Sequence, residues 1–301
     1  MRENSLNHIH IPVLLEDTVQ LLNPQKGESY LDLTAGYGGH ARVILEKIGE
    51  NGHGSVLVDR DDYAIQHLSS LATKHTHLMH TDFLSAAQQL VDEKRKFDMM
   101  LVDLGVSSPQ LDMSERGFSF KNSGPLDMRM DRRQDKSAYT LVNEASAAEL
   151  TRIIHEYGDE PFRQAQAIAN AIKSAVNTSG PLQETAQLAD IVASVHRGKR
   201  TKVHPATRTF QALRIAVNDE LQQVEHLLPL IPQLLTPGGR VVIISFHSLE
   251  DRLVKRFFKN QRDAGFEAEL KELTKHPIAG NINDVHNPRS RSAKLRAAVK
   301  I

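Results

Sequence analysis

The chain has 301 residues, 40% hydrophobic and 25% charged, with 37 basic and 37 acidic side chains and no cysteine. This is a globular profile, and the missing cysteine excludes disulfides, thiolate nucleophiles and cysteine-ligated metals. No apolar run approaches the roughly 18 residues of a membrane helix, and the polar stretch Met1–His10 does not read as a signal peptide, so a cytoplasmic protein without membrane contact is expected.

His10–Leu22 predicts a helix, ended by Asn23-Pro24 because the residue before proline avoids the helical region. Ser29–His40 then runs as a short apolar strand into Gly36, Gly38 and Gly39, with Ala41, Val43, Ile44, Leu45 and Ile48 at helical spacing behind them. Strand, glycine turn and helix form the layout of a nucleotide-cofactor site. Glycine allows positive φ and close approach of a ligand, and the free N–H groups of the helix start face a polar group. Ser55–Asp59 is a second strand, and Asp61 and Asp62 sit where a helix start favours acids. Thr76–His80 is a third strand and Phe97–Leu104 the clearest buried one. Strands alternating with helices imply a parallel, doubly wound α/β sheet, whose ligands bind beyond the carboxyl ends of the strands. Thr34–Gly39, Asp59, Asp82–Phe83 and Asp103–Gly105 are therefore expected to converge on one crevice.

The rhythm stops after Gly105. A turn-rich stretch, Val106–Arg133, precedes three helical stripes: Leu150, Ile153, Ile154 and Tyr157; Ile168, Ile172 and Val176; Leu188, Ile191, Val192 and Val195. Residues 106–205 read as an inserted helical domain, and residues 1–105 and 206–301 as the α/β domain. The α/β domain resumes with one long helix carrying Phe210 through Leu228, a turn at Pro237-Gly238-Gly239 and a strand Arg240–Phe246. A helix with Leu249, Leu253, Phe257 and Phe258 follows, then a terminal strand pair, Ala268–Thr274 with Ala293–Val299.

Asp59 lies twenty residues after Gly39, where an acid binds ribose hydroxyls. Asp32, inside the first strand, suits a cofactor with an amino group and a sulfonium, as S-adenosylmethionine has. The spacing Gly36-x-Gly38-x-x-Ala41 also passes the dinucleotide test, so a nicotinamide-dependent dehydrogenase is one alternative and a non-catalytic RNA-binding or assembly factor another. Asp103-Leu-Gly-Val-Ser-Ser-Pro-Gln110 stands where an α/β methyltransferase places its catalytic loop. A carboxylate there holds the N–H groups of an exocyclic amine and returns electron density to nitrogen; a turn-capping role is the other reading of Asp103. Phe118 and Phe120 either stack a base lifted from its strand or pin a long loop. His247 acts as a base, contacts phosphate or caps the next helix, and Asp127–Asp131 has no reading from physics alone. His75, His77 and His80 alternate along a strand, so no metal site is expected. Two acid-free basic blocks suggest a polyanionic partner: Ile191–Asn218, with Arg197, Lys199, Arg200, Lys202, Arg208 and Arg214, and Val285–Ile301, with Arg289, Arg291, Lys294, Arg296 and Lys300.

Leu-Gly-Val-Ser-Ser-Pro-Gln-Leu, Arg-Gly-Phe-Ser-Phe with Pro-Leu-Asp-Met-Arg-Met, His-Pro-Ala-Thr-Arg-Thr-Phe-Gln-Ala and Ser-Phe-His-Ser-Leu-Glu-Asp are long and distinctive. Together they resemble the bacterial ribosomal RNA small-subunit methyltransferase H family, also called MraW, from His10 to Arg296. The resemblance implies a class I S-adenosylmethionine-dependent fold, Rossmann-like, with an inserted helical domain that reads RNA. It implies methyl transfer to N4 of a cytosine in the decoding region of 16S ribosomal RNA, with the RNA in an assembled or nearly assembled small subunit. By position, Gly38, Gly39, His40, Asp59, Phe83, Asp103 and Gln110 match the family's cofactor residues. The first strand departs from the family pattern at Ala35 and Tyr37. Asp103 is the catalytic candidate, and Phe118, Phe120, Lys199, Arg200, Lys202 and Arg208 are the RNA candidates; whether the protein forms a homodimer stays open.

Overall fold

The apolar runs and helical stripes of the first hundred residues become a helix and three and a half strand–helix steps. A computed structural model of the protein describes residues 12–49, 54–196 and 204–301, apart from the side chain of Ser108. Two units separate, 1–105 with 221–301 and 106–220. Helix α1 (Leu15–Leu22) lies between two left-handed residues, Leu14 and Asn23, and stops ahead of Pro24. Then come β1 (Tyr30–Asp32), α2 (Gly39–Ile48), β2 (Ser55–Asp59), α3 (Asp62–Leu68), β3 (Thr76–His80), α4 (Phe83–Asp92) and β4 (Phe97–Asp103). Asp61 and Asp82 accept backbone N–H groups at the starts of α3 and α4, satisfying donors that a helix end leaves unpaired.

The second unit holds α5 (Ser108–Asp112), α6 (Ala138–Glu144), α7 (Ala147–Gly158), α8 (Phe162–Ser179), α9 (Thr185–Val195) and α10 (Ala206–Asn218). Their apolar stripes close one core, with Leu150, Ile154, Ile168, Ile172, Leu188, Val192, Phe210 and Leu213 buried in it. Helix α10 buries Phe210, Leu213 and Val217 in that core, so the unit ends after Glu220 and not at 205. The expected long helix also breaks: Asp219 is left-handed at φ 49°, and a new helix starts at Glu220. Asp127-Met-Arg-Met-Asp131 acquires a reading here. Met128 and Met130 are buried, while Asp127 and Asp131 hold Arg129 and Arg133. Asn218 donates to the Met128 carbonyl and accepts the Met130 N–H, each at 2.8 Å. The fully buried Arg116 donates to the carbonyls of Arg129 and Met130.

The first unit resumes with α11 (Glu220–Leu227), α12 (Ile231–Leu234), β5 (Leu235–Ser245), α13 (Ser248–Asp263), β6 (Leu270–Glu272), β7 (Ile278–Ala279), α14 (Gly280–Asn283) and β8 (Lys294–Lys300). The sheet order is β3-β2-β1-β4-β5-β8-β6, with β7 also on β8. Strands β1 to β5 are parallel; β8 runs antiparallel to β5, β6 and β7. The terminal strand pair is thus present, Leu270 opposite Lys300. The expected turn at Pro237–Gly239 falls within the span of β5: Gly238 is left-handed at φ 79°, and the chain bulges out of the ladder there, since Phe97 faces Leu235 while Met99 faces Arg240. One face of the sheet is covered by α4, α11, α12 and α13, the other by α1, α2 and α3. This is the doubly wound, Rossmann-like arrangement, and its strand order reverses between β1 and β4. Among the described residues no helix is long and apolar enough to cross a membrane.

Candidate active site

Strands β1 and β4 are neighbours at the reversal, so their carboxyl ends open a crevice between them. The crevice edge is held by backbone bonds: the Asp103 N–H donates to Thr34 Oγ1 at 2.6 Å and the Ala35 N–H to the Val58 carbonyl at 2.9 Å. Gly36 and Gly38 take φ of 53° and 81°, which turns the chain back into α2. A Cβ on Gly38 would lie 2.8 Å from Leu71 Cδ1, and one on Gly39 2.6 Å from Pro12 Cγ, so packing as well as conformation requires glycine here.

Carboxylates line this turn. Asp32 is buried; Tyr30 Oη donates to its Oδ2 at 2.7 Å and the Thr34 N–H to its Oδ1 at 3.2 Å. Burial pushes the Asp32 carboxyl up to about 7, with the Asp59 charge adding to the rise and the two hydrogen bonds opposing it. Asp59 accepts the Gly36 N–H at Oδ2 and the Asp61 N–H at Oδ1, both at 2.8 Å. Burial raises its pKa above the usual carboxylate value against those bonds. Asp103 keeps about 24% of its side chain open, yet its Oδ1 is shut from solvent and has no hydrogen-bond partner among the described residues. Burial, and then the charges of Asp32 and Glu250, hold its carboxyl well above the ordinary range. His40 Nε2 lies 3.0 Å from the Val13 carbonyl, which can only accept, so Nε2 carries the proton; Nδ1 faces Asp103 Oδ2 at 3.7 Å. Buried carboxylates pushed toward neutrality favour a ligand that brings positive charge.

The structure therefore brings Gly38, Gly39, His40, Asp59 and Asp103 together, with Asp32, as expected. Phe83, the first residue of α4, is buried in one core cluster with Leu33 of the first turn and Val58 of β2, and Asp82 beside it caps the helix. Gln110 lies in the second unit, where its Oε1 accepts the Ser107 N–H at 3.0 Å in a capping box at the start of α5. His247 takes the capping role, at the start of α13, in a capping box with Glu250.

Of the two readings of the aromatic pair, the packing shows the loop-pinning one for Phe118. Phe118 is buried in the core of the second unit with the Arg116 guanidinium over its ring, and Phe120 packs edge-on against Phe210 and tilted on His204. Burial of the Phe118 ring helps to hold the long 113–137 loop, while Phe120 is half-buried at the edge of that core. Lys199, Arg200 and Lys202 lie outside the described residues. Arg208 is half exposed, 3.3 Å from the Asp159 carbonyl and 3.7 Å from Glu160. Arg214 is taken up by a two-pronged bond to Glu220.

Sequence reasoning missed Tyr30 and Glu250. Tyr30 and Asp32 are two residues apart on one strand and so share a face, which was a readable signal. Glu250, which accepts the Phe246 N–H at 2.8 Å, comes to Asp103 only through the pairing of β4 and β5.

Comparison with known proteins adds the following. The family model for the MraW methylase family matches residues 7–301. A ribosomal RNA small subunit methyltransferase H from Nitratidesulfovibrio vulgaris is 44% identical over 315 residues, covering 97% of this chain and 95% of the relative. The protein of the same name from a Cyanothece species is 44% identical, covering 97% and 95%, and that from Thermomicrobium roseum is 42% identical, covering 99% and 96%.

Proposed function

The chain belongs to the MraW methylase family, and from that premise we propose that it methylates the exocyclic N4 of a cytosine in the decoding region of small-subunit ribosomal RNA, with S-adenosylmethionine as methyl donor. The observation that carries the reading is identity of 42–44% along almost the whole length of relatives named ribosomal RNA small subunit methyltransferase H. The crevice fits the donor: Asp103 Oδ1 is buried without a partner and Asp32 is held near neutrality, as befits carboxylates that await a cationic ligand. When bound, S-adenosylmethionine supplies an electrophilic sulfonium methyl.

This chain's own groups supply positioning. The Gly36–Gly39 turn at the start of α2 would hold the cofactor, with Asp59 to accept from its ribose hydroxyls and Asp32 to pair with its amino group. Asp59 Oδ2 and Oδ1 already fix the Gly36 and Asp61 N–H groups, so this residue also shapes the turn. Asp103 accepts an N–H of the target amine and returns electron density to a nitrogen whose lone pair is delocalised into the ring. In-line attack then needs mainly orientation.

The test is transfer of labelled methyl from S-adenosylmethionine to small-subunit particles and to protein-free small-subunit RNA, followed by nucleoside analysis. Label in N4-methylcytidine supports the proposal. Label in another nucleoside overturns the N4 assignment, and RNA binding without transfer makes the protein a non-catalytic binder.

A further inference from the structure

Of the two basic blocks in the sequence, the C-terminal one is largely neutralised. Lys294 and Arg296 lie 2.9 and 2.8 Å from Asp251, and Lys300 lies 2.9 Å from Glu269. A row of open cations in the α/β unit lies instead on α13. Its inner face buries Val254 and Phe258 against the sheet, and its outer face exposes Arg252, Lys255, Arg256, Lys259 and Arg262. These five fall three and four residues apart, one stripe along about 15 Å of helix. Arg256 meets Glu225 at 3.2 Å and Arg262 meets Glu272 at 3.4 Å, pairs that solvent weakens. Asp263 lies 4.0 Å from Arg262. Arg252, Lys255 and Lys259 make no ion pair with any described residue. Like charges at these spacings repel one another on a helix, and a polyanion laid along the stripe removes that cost. Just beyond the stripe, after left-handed Gly265, the Phe266 ring stands wholly in solvent.

We infer that the outer face of α13, with Phe266 at its end, is a contact surface for RNA: the Arg252–Arg262 stripe takes consecutive phosphates and Phe266 stacks an unpaired base. The inference rests on the proposal that the substrate is RNA. Helix α13 starts where β5 ends, at the edge of the sheet that carries Asp32 and Asp103, so the stripe leads along the α/β unit from the crevice edge. A groove that tracks the backbone and an aromatic platform are the two parts by which single-stranded nucleic acid is held without regard to sequence.

The test measures affinity for protein-free small-subunit RNA and for a short single-stranded oligoribonucleotide at several salt concentrations, with cofactor affinity as the control for folding. Neutralising three phosphate contacts in Arg252→Gln/Lys255→Gln/Lys259→Gln should flatten the slope of log affinity against log salt by about two. Phe266→Ala should weaken oligonucleotide binding about tenfold with the slope unchanged, because stacking releases no counterions. Cofactor affinity should stay at the wild-type value in both variants. A folded triple variant with the wild-type slope overturns the inference. So does weaker binding to intact small-subunit particles with unchanged binding to bare RNA, since the stripe would then meet ribosomal protein. If the wild-type protein neither binds RNA in a salt-dependent way nor transfers methyl to it, the proposed function itself fails.

Discussion

Asp32→Asn tests the electrostatics of the crevice without a ligand. Burial raises the Asp32 carboxyl from 3.8 to about 7, so the folded protein binds this proton more tightly than the unfolded chain does. The contribution of Asp32 to stability must then fall as pH rises from about 4 to about 7, by about 4 kcal/mol, and stay level above that window. Asparagine keeps the shape and cannot ionise, so it removes this share of the slope. Its amide retains one acceptor for the two donors, Tyr30 Oη and the Thr34 N–H, a fixed loss of about 1–3 kcal/mol. The variant is therefore expected to be less stable than wild type at pH 5 and to gain on it steadily toward pH 8. Urea unfolding at four pH values, without S-adenosylmethionine, gives both curves. A difference between wild type and variant that does not change with pH would refute the assignment of the shift to burial of this carboxyl. The same variant should bind S-adenosylmethionine more weakly at pH 8, where wild type presents a charge and the variant does not.

Asp103→Asn should lower turnover of methyl transfer more than it raises the RNA KM; turnover near wild type would make the carboxylate a structural group. Gly39→Ala drives a methyl into Pro12, and overpacking of this kind costs about 1–3 kcal/mol, readable as a lower urea midpoint together with weaker cofactor binding by calorimetry. Asn218→Ala leaves the Met130 N–H and the Met128 carbonyl unpaired in the core of the second unit. It should cost about 2–4 kcal/mol in urea unfolding, while cofactor affinity stays unchanged.

The α/β unit was legible because strands buried on both faces read as continuous apolar runs, as Phe97–Asp103 does, and because an acid ends β1, β2 and β4. The glycine turn was legible for the same local reason. What escaped was set by partners distant in the chain. The break at Asp219 lies inside an unbroken apolar stripe, and only a left-handed residue there re-aims the chain. The Phe118 and Phe120 rings looked open because their neighbours in sequence are polar, while Phe210 and His204, which pack against Phe120, come from almost ninety residues away. The basic face of α13 was hidden by Glu250 and Asp251, which dilute its charge in sequence and turn inward in the fold.

The order of the strands also sets a timetable for synthesis. Strand β4 pairs with β1 on one side, but its other neighbour, β5, begins only at Leu235. At about 5–20 residues per second, a ribosome takes roughly 7–25 s to make the stretch between them. Throughout that interval Met100, Leu101 and Val102 present an apolar edge with open backbone donors and acceptors, the template on which strands of other chains add. The second unit is made in this gap and can close its own core while the half-built sheet waits. The newborn chain is thus most open to edge-to-edge pairing with other chains between the completion of β4 and the arrival of β5.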